Sequence, residues 1–325
     1  MPNLSPVPDS AEHMKQEKDI IDRDAVIDVL PYAAITVGEK GETLCDLEEL
    51  CDRCVAFSDD GKGVQNEEMM RQAMERAKAI DKLIVAHCED NRLLFGGYIH
   101  DGSYAKEHHH RGICSKSEWG PIERDIRLCE ETGCGYHVCH ISTKESVELI
   151  RRAKERGVNI TCETAPHYLL LDENDLEENG RFKMNPPLRG EDDRLALLEG
   201  IKDGTLDMIA TDHAPHSADE KNRGLEKSAF GIVGIETAFP LLYTYMVKTG
   251  VITMKRLMEL LVINPRKRFN IPLSERDFSV WDLNKTYEID PKEFFSQGKA
   301  TPFEGWSVSG KCLLTVKDGK IVYQG

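Results

Sequence analysis

The segment Leu206-Asp207-Met208-Ile209-Ala210-Thr211-Asp212-His213-Ala214-Pro215-His216 decides the fold, because an apolar run typical of a buried strand ends there in a carboxylate and two imidazoles. Three further strand-like runs also end in Asp or His: Val55 to Asp60, Leu83 to His87 and Tyr136 to His140. A TIM-type (β/α)8 barrel carries its chemistry at the C-terminal ends of its strands. We therefore predict an α/β barrel of this type, with the four strand ends on one rim.

Strands and helices alternate along the chain, which favours a parallel sheet with helical crossovers. The predicted strands are Val26 to Thr36, Val55 to Asp60, Leu83 to His87, Tyr136 to His140, Val158 to Glu163 and Leu206 to Asp212. The predicted helices are Leu44 to Cys54, Asn66 to Ala79, Pro121 to Thr132, Lys144 to Arg156, Asp192 to Lys202 and a closing stretch from Thr253 to Phe269. Because a closed barrel has eight strands, we expect this barrel to be incomplete at its N-terminal end, with about six complete strands.

The pattern changes beyond Pro272 to short extended runs, Phe278 to Leu283 and Leu313 to Tyr323, separated by Gly and Lys. Such runs are typical of a small β appendage and ordinarily need partner strands to be stable. We therefore predict two domains. Residues 1–272 form the incomplete (β/α) barrel, and residues 273–325 form the C-terminal part of a small β domain.

The composition excludes several classes of partner. The chain has 57 Asp and Glu against 42 Lys and Arg, a formal net charge of −15, which repels phosphate backbones and anionic lipid surfaces. We therefore expect neither nucleic acid nor a membrane as a partner. The start of the sequence, Met1 to Pro8, lacks the basic and apolar regions of a signal peptide, so a cytoplasmic location is expected. The ten cysteines are then predicted to be reduced thiols.

Asp and His residues at successive strand ends are typical of a metal-dependent hydrolase. Zinc in catalytic sites is held by three protein ligands and lowers the pKa of its bound water toward about 7. Asp60, His87 and His140 are such a ligand set, and a carboxylate beside the metal, Asp212, is the natural acid and base. Any one of them could instead form a turn or cap a helix, but four at separate strand ends favour the metal site.

The remaining histidines receive structural interpretations. His137 and His167 are predicted to be core residues or to support the site from behind. The run from His108 to His110 is predicted to be a solvated loop, because adjacent histidines cannot all face one ion. The role of His213 stays open.

Seven strings resemble dihydroorotases of the bacterial type, in the amidohydrolase superfamily, and together they extend over essentially the whole chain. They are FSDDGKGVQ, IVAHCEDN, YHVCHISTKES, FKMNPPLRGEDDR, IATDHAPHSADEK, AFGIVGIETAFPLLYT and TPFEGW. That family interconverts N-carbamoyl-L-aspartate and L-dihydroorotate in pyrimidine biosynthesis. The resemblance therefore implies a zinc-dependent cyclic amidase that acts on a small-molecule substrate.

The resemblance also implies roles for single residues. Asp60 would be shared by the family's two zinc ions, and His87 and His140 would hold one of them. Asp212 would touch the other ion and act as the catalytic acid and base. The residues that would line the dihydroorotate site are Asn3, Asn185, His216, Phe230 and Gly231. From the residues alone, Asn185 could equally shape a turn, and Phe230 and Gly231 could belong to an ordinary loop.

One motif of the family is absent. The family's first barrel strand ends in His-x-His-x-Arg, two zinc ligands and an arginine for the substrate carboxylate, and this chain has no such string. The chain is then either a fragment or mis-started version of a longer protein, or a natural short form. We expect it to retain one zinc ion, to bind substrate more weakly, and to be impaired when tested alone.

Two other functions stay open. A related cyclic amidase, such as an allantoinase or hydantoinase, usually carries a carboxylated lysine where this chain has Asp60. A non-catalytic subunit that scaffolds aspartate transcarbamoylase fits the missing ligands, but such a subunit has no need to retain Asp60 or Asp212. A homo-oligomer is the other assembly considered.

Overall fold

The computed structural model describes all 325 residues, which fall into two compact units. The first unit comprises residues 1–94, 116–141 and 145–163, and the second comprises residues 95–115, 142–144 and 164–325. The division into a barrel of residues 1–272 and a β domain of residues 273–325 stays a prediction.

The first unit is built on parallel strands. They are Tyr32–Ala34, Ala56–Ser58, Leu83–Ala86, Gly135–Val138 and Ile160–Thr164, the last of which ends one residue inside the second unit. Each strand pairs in parallel with the next one along the chain. Three residues of Ala56–Ser58 and all four of Gly135–Val138 are buried, as expected for parallel strands covered on both faces. Their C-terminal ends therefore meet at one edge.

The helix Ala11–Asp24 precedes the first strand. The helices between the strands are Leu47–Leu50, Glu67–Ala79, Lys116–Thr132 and Lys144–Glu155. Glu67–Ala79 shows how the local sequence sets a helix, because the side chain of Asn66 caps it by accepting a hydrogen bond from the Met69 backbone N–H at 3.0 Å. One stripe of this helix is buried: Met70, Ala73, Met74 and Ala77. This apolar stripe at helical spacing packs into the core.

The second unit contains mostly short elements. Its helices are Ser103–Glu107, Pro166–Leu170, Glu191–Asp203, Ala218–Lys221, Gly224–Lys227, Ala238–Leu242, Met254–Met258 and Asn264–Arg268, with π-helical turns at Tyr243–Val247 and Glu259–Ile263. Its short strands are Ile99–His100, Gly112–Ile113 and Met208–Ile209. The backbone N–H of Ala210, just after the last of these, donates to the carbonyl of Thr164 at 2.9 Å.

A three-stranded antiparallel sheet closes the second unit. Its strands are Phe278–Glu288, Ser307–Lys317 and Lys320–Gln324, with Ser307–Lys317 in the middle. The single strand predicted from Leu313 to Tyr323 is therefore wrong. Asp318 and Gly319 both have positive φ, 51° and 77°, which is the conformation of a tight hairpin turn, and the chain reverses there.

All six predicted barrel strands are present, but two features of the N-terminal region differ from the prediction. The segment from Val26 to Leu30 lies outside the first strand, which begins only at Tyr32, and its apolar side chains are exposed. The helix Ala11–Asp24 was not predicted. Only Met14 of this helix is buried, so its sequence carries little of the apolar periodicity that reveals a helix.

Candidate metal centre

Three of the predicted metal ligands meet in the first unit. Asp60, His87 and His140 each follow within two residues of the end of a parallel strand. Because Leu83–Ala86 pairs in register with Gly135–Val138, the residues beyond both strands reach the same edge of the sheet. The ligand atoms of Asp60, His87 and His140 lie within 4.8 Å of one another. The structure therefore brings these three predicted ligands together, and their role as metal ligands stays a prediction.

The cluster is buried and compact. Asp60, His87 and His140 have exposed fractions of 5%, 4% and 5%. His87 Nδ1 lies 3.2 Å from His140 Nε2, and His140 Nε2 lies 3.5 Å from Asp60 Oδ1. Burial disfavours the charged form of Asp60, but the neighbouring His140 and then His87 outweigh it and hold the pKa of this carboxyl below its ordinary value. The carboxylate is thus ready to act as a ligand.

A ligand atom of the cluster lacks a hydrogen-bond partner. Asp60 Oδ1 is buried and makes no hydrogen bond. A buried polar atom left in this condition costs about 1–3 kcal/mol. A cation held by one carboxylate oxygen and two imidazole nitrogens would satisfy such atoms, and this donor set suits zinc. The residues present therefore fit a metal ion.

Several neighbours position these ligands. Asp59, next to Asp60, accepts hydrogen bonds from the backbone N–H groups of Ile35 at 2.8 Å and Thr36 at 3.0 Å, and from the Thr36 hydroxyl. These hydrogen bonds connect the C-terminal end of the strand Ala56–Ser58 to that of the strand Tyr32–Ala34. Asn3, predicted to bind substrate, donates from Nδ2 to Asp60 Oδ2 at 3.5 Å. Asn3 therefore lies beside the cluster.

Backbone conformation marks two of the predicted residues. His140 has φ of 34° and Asp212 has φ of 45°, a region that residues other than glycine rarely adopt. Such strain is typically found at functional sites, where the surrounding structure enforces it. Asp212 lies in the second unit, beyond the strand Met208–Ile209.

Three of the predicted substrate residues lie together in the second unit. His216 Nε2 lies 2.8 Å from the carbonyl oxygen of Phe230, and Lys183 Nζ lies 4.4 Å from the centre of the Phe230 ring. Gly231 has φ of 125°, and a Cβ there would lie 2.5 Å from the Cβ of Ala214. Only glycine fits this close approach. Asn185, the fourth predicted residue of this unit, precedes a cis peptide bond to Pro186.

Lys221 is a residue that the sequence analysis missed. Its side chain is buried, and Nζ donates to the carbonyls of Lys183, Ala229 and Gly231 at 3.0, 2.7 and 2.7 Å. The ammonium group therefore fastens both ends of the loop segment that contains Phe230. His213, whose role the sequence left open, accepts at Nδ1 a hydrogen bond from the backbone N–H of Gly234 at 3.1 Å.

Several known proteins have sequences similar to this chain. A family model described as dihydro-orotase-like matches residues 1–146. A dihydroorotase of Geobacillus sp. (strain WCH70) is 50% identical over 332 residues, which cover 100% of this chain and 78% of that protein. A dihydroorotase of Listeria innocua is 50% identical over 331 residues, which cover 99% of this chain and 78% of that protein.

The similarity extends to solved structures. The L-hydantoinase (dihydropyrimidinase) of Arthrobacter aurescens matches with a TM-score of 0.87 at 25% identity, and the match covers 100% of this chain and 76% of that one. This confirms the predicted α/β fold of the TIM-barrel amidohydrolases. No helix combines the length and the apolar character required to cross a membrane.

Proposed function

The chain belongs to the dihydroorotase family, and we propose that it performs that family's reaction, the reversible interconversion of N-carbamoyl-L-aspartate and L-dihydroorotate in pyrimidine biosynthesis. It is a metal-dependent cyclic amidohydrolase. The observation that carries the proposal is the 50% identity that spans the whole chain. The buried cluster of Asp60, His87 and His140 supports it, because it lies where such a reaction needs a metal.

Zinc is the metal proposed for this cluster. The family uses two zinc ions, and the three clustered ligands are sufficient to hold one of them. A bound zinc ion would supply a Lewis acid and make water more acidic near neutral pH. A cation requires the charged form of the Asp60 carboxyl, whose pKa lies below its ordinary value beside His140 and His87, and an imidazole nitrogen that binds a metal must first release its proton.

Asp212 is proposed as the catalytic acid and base and as a ligand of the second zinc ion. Hydrolysis of the ring amide requires a group that takes a proton from water and returns it to the leaving nitrogen. A carboxylate at a strained strand end is suited to this exchange because its surroundings fix its position. Asn3, Asn185, His216, Phe230 and Gly231 are proposed to bind dihydroorotate, and the contact between His216 and the Phe230 carbonyl supports a shared site for these two.

The alternatives are less well supported. A hydantoinase-like or allantoinase-like activity has in its favour only structural similarity at 25% identity, against 50% identity with the dihydroorotases. A purely scaffolding subunit has no use for a buried carboxylate and two imidazoles at ligand distance. The proposal further includes a cytoplasmic location, and assembly with a second copy of the chain or with aspartate transcarbamoylase.

Turnover of L-dihydroorotate and of N-carbamoyl-L-aspartate by the zinc-supplemented protein tests the proposal. Because the sequence has no His-x-His-x-Arg string, the assay includes a version preceded by such an element, which we expect to be the more active form. Allantoin and hydantoin serve as comparison substrates. The assignment would be overturned if either comparison substrate were hydrolysed preferentially. It would also be overturned if neither version turned over L-dihydroorotate or N-carbamoyl-L-aspartate with zinc bound.

A further inference from the structure

A second cluster of ligand-type side chains lies in the first unit. His137, Cys139 and Glu163 place their ligand atoms within 4.8 Å of one another. Strand pairing brings them together, because His137 lies in register with Thr161 on the neighbouring parallel strand. Alternate residues of a strand share a face, so Cys139 and Glu163, each two residues further along, continue the face that His137 occupies.

The imidazole of His137 is oriented by a hydrogen bond with the neighbouring strand, and its other nitrogen faces a carboxylate. Nδ1 lies 2.8 Å from the hydroxyl of Thr161, and Nε2 lies 3.2 Å from Oε2 of Glu163. Histidine ligands are typically fixed in this way, with one ring nitrogen hydrogen-bonded to the protein and the other directed at the ion. Thr161 therefore holds Nε2 toward the carboxylate of Glu163.

The three ligands of the cluster differ in burial. His137 and Cys139 have exposed fractions of 0% and 5%, whereas the side chain of Glu163 is 16% exposed. Glu163 is therefore the most exposed of the three ligands. Ligand atoms around tetrahedral zinc lie about 3.5 Å apart, so small side-chain rotations are sufficient to close the cluster around an ion.

The donor atoms distinguish this cluster from the first one. Nitrogen, sulfur and oxygen donors together suit zinc and still softer cations, whereas the cluster of Asp60, His87 and His140 offers no sulfur. Cys139 and His140 are neighbours in the chain, but their side chains belong to different clusters. The two sets of ligands share no residue.

We propose that His137, Cys139 and Glu163 form a second cation site, separate from the cluster of Asp60, His87 and His140, that takes thiophilic divalent cations such as Zn²⁺ or Cd²⁺. This inference does not depend on the proposed enzymatic activity.

Cadmium titration of the metal-free protein tests the site, because a thiolate bound to Cd²⁺ produces a charge-transfer absorption band in the ultraviolet. The decisive variant is Cys139→Ser, and its matched control is Cys162→Ser, which replaces another fully buried cysteine on the neighbouring strand. Asp60→Asn removes a ligand of the first cluster only. If Cys139→Ser fails to fold by circular dichroism, Glu163→Gln provides the second variant, since it leaves the thiol in place.

The expected result is a cadmium–thiolate band that saturates by about two equivalents of cadmium in the wild-type protein, because the first cluster takes the other ion without a thiolate. The band should disappear in Cys139→Ser, persist in Cys162→Ser and Asp60→Asn, and require about tenfold or more cadmium in Glu163→Gln. A wild-type protein without the band, or a Cys139→Ser protein that retains it, overturns the proposal. Loss of the band in Asp60→Asn also overturns it, because the two clusters would then be one site.

Discussion

The Nδ1 atom of His87 lies 3.2 Å from the Nε2 atom of His140, although the two residues are 53 positions apart in the chain. Their rings meet edge to face, with centroids 4.9 Å apart and an interplanar angle of 65°. Parallel pairing of the strands before them, with Ala86 in register with Val138, produces this proximity. Two imidazoles directed toward one point beside a carboxylate are the arrangement that a metal ion requires.

Replacing His87 by Ala should remove the zinc that the first cluster holds. Only two of its three ligands would then remain, which is fewer than zinc sites in proteins normally use. Metal analysis after dialysis should show the loss of about one equivalent of zinc relative to the wild-type protein. His109→Asn serves as the control, because His109 is exposed and has positive φ, a conformation that asparagine tolerates. Equal zinc contents in the wild-type protein and His87→Ala would contradict the assignment.

The proximity of Asp60, His87 and His140 could be predicted because the ends of the strands can be recognised in the sequence. Each of Asp60, His87 and His140 follows a short apolar run, and parallel strands place such ends at one edge regardless of separation along the chain. The second cluster was not predicted in this way, and His137 was interpreted as a core or supporting residue. Its contacts depend on which strand neighbours which and on the register between them, and a single sequence does not specify either.

In the N-terminal region, sequence patterns led to two kinds of error, a strand predicted wrongly and a helix missed. The apolar run from Val26 to Leu30 was predicted as strand, yet these side chains are exposed, because apolarity alone does not specify burial. The helix Ala11–Asp24 was missed because only Met14 is buried there. Its cap was the available signal, since the Ser10 side chain accepts a hydrogen bond from the backbone N–H of His13. Lys221 gave no signal, because its three carbonyl partners are defined only by the folded loop.

Replacing Gly63 by Ala should destabilise the protein and weaken metal binding. Gly63 has φ of 63°, and a Cβ there would lie 2.9 Å from the carbonyl oxygen of His87. Gly157→Ala is the matched control, because Gly157 has φ of 80° with no atom within 4 Å of the added Cβ. The control should cost about 1 kcal/mol for its backbone conformation, and Gly63→Ala about 1–3 kcal/mol more for the clash. Denaturant unfolding and zinc titration measure both effects, and equal costs would show that the loop accommodates the methyl group.

Replacing Lys221 by Met should loosen the loop that contains Phe230 and Gly231. Methionine has a similar length but donates no hydrogen bond, so the carbonyls of Ala229 and Gly231 lose the donors that now lie 2.7 Å away. If these residues bind dihydroorotate, KM should rise about tenfold, equivalent to about 1.4 kcal/mol, while kcat changes less. The control is Lys227→Met, an exposed lysine of the same segment. A change confined to kcat would place the effect of Lys221 elsewhere.

Lys221 should also give the folding stability a distinctive pH dependence. Burial, followed by the charge of Lys183, lowers the pKa of Lys221 from 10.5 to about 8. Between these two values the unfolded chain keeps a proton that the folded protein has released, so this residue makes the free energy of unfolding increase as the pH rises. Unfolding measured at about pH 7 and about pH 9.5 should therefore show the wild-type protein gaining stability relative to Lys221→Met at the higher pH. Lys227→Met should show no such trend against the wild-type protein, and a difference between wild type and Lys221→Met that stays constant with pH would mean that Lys221 remains charged throughout.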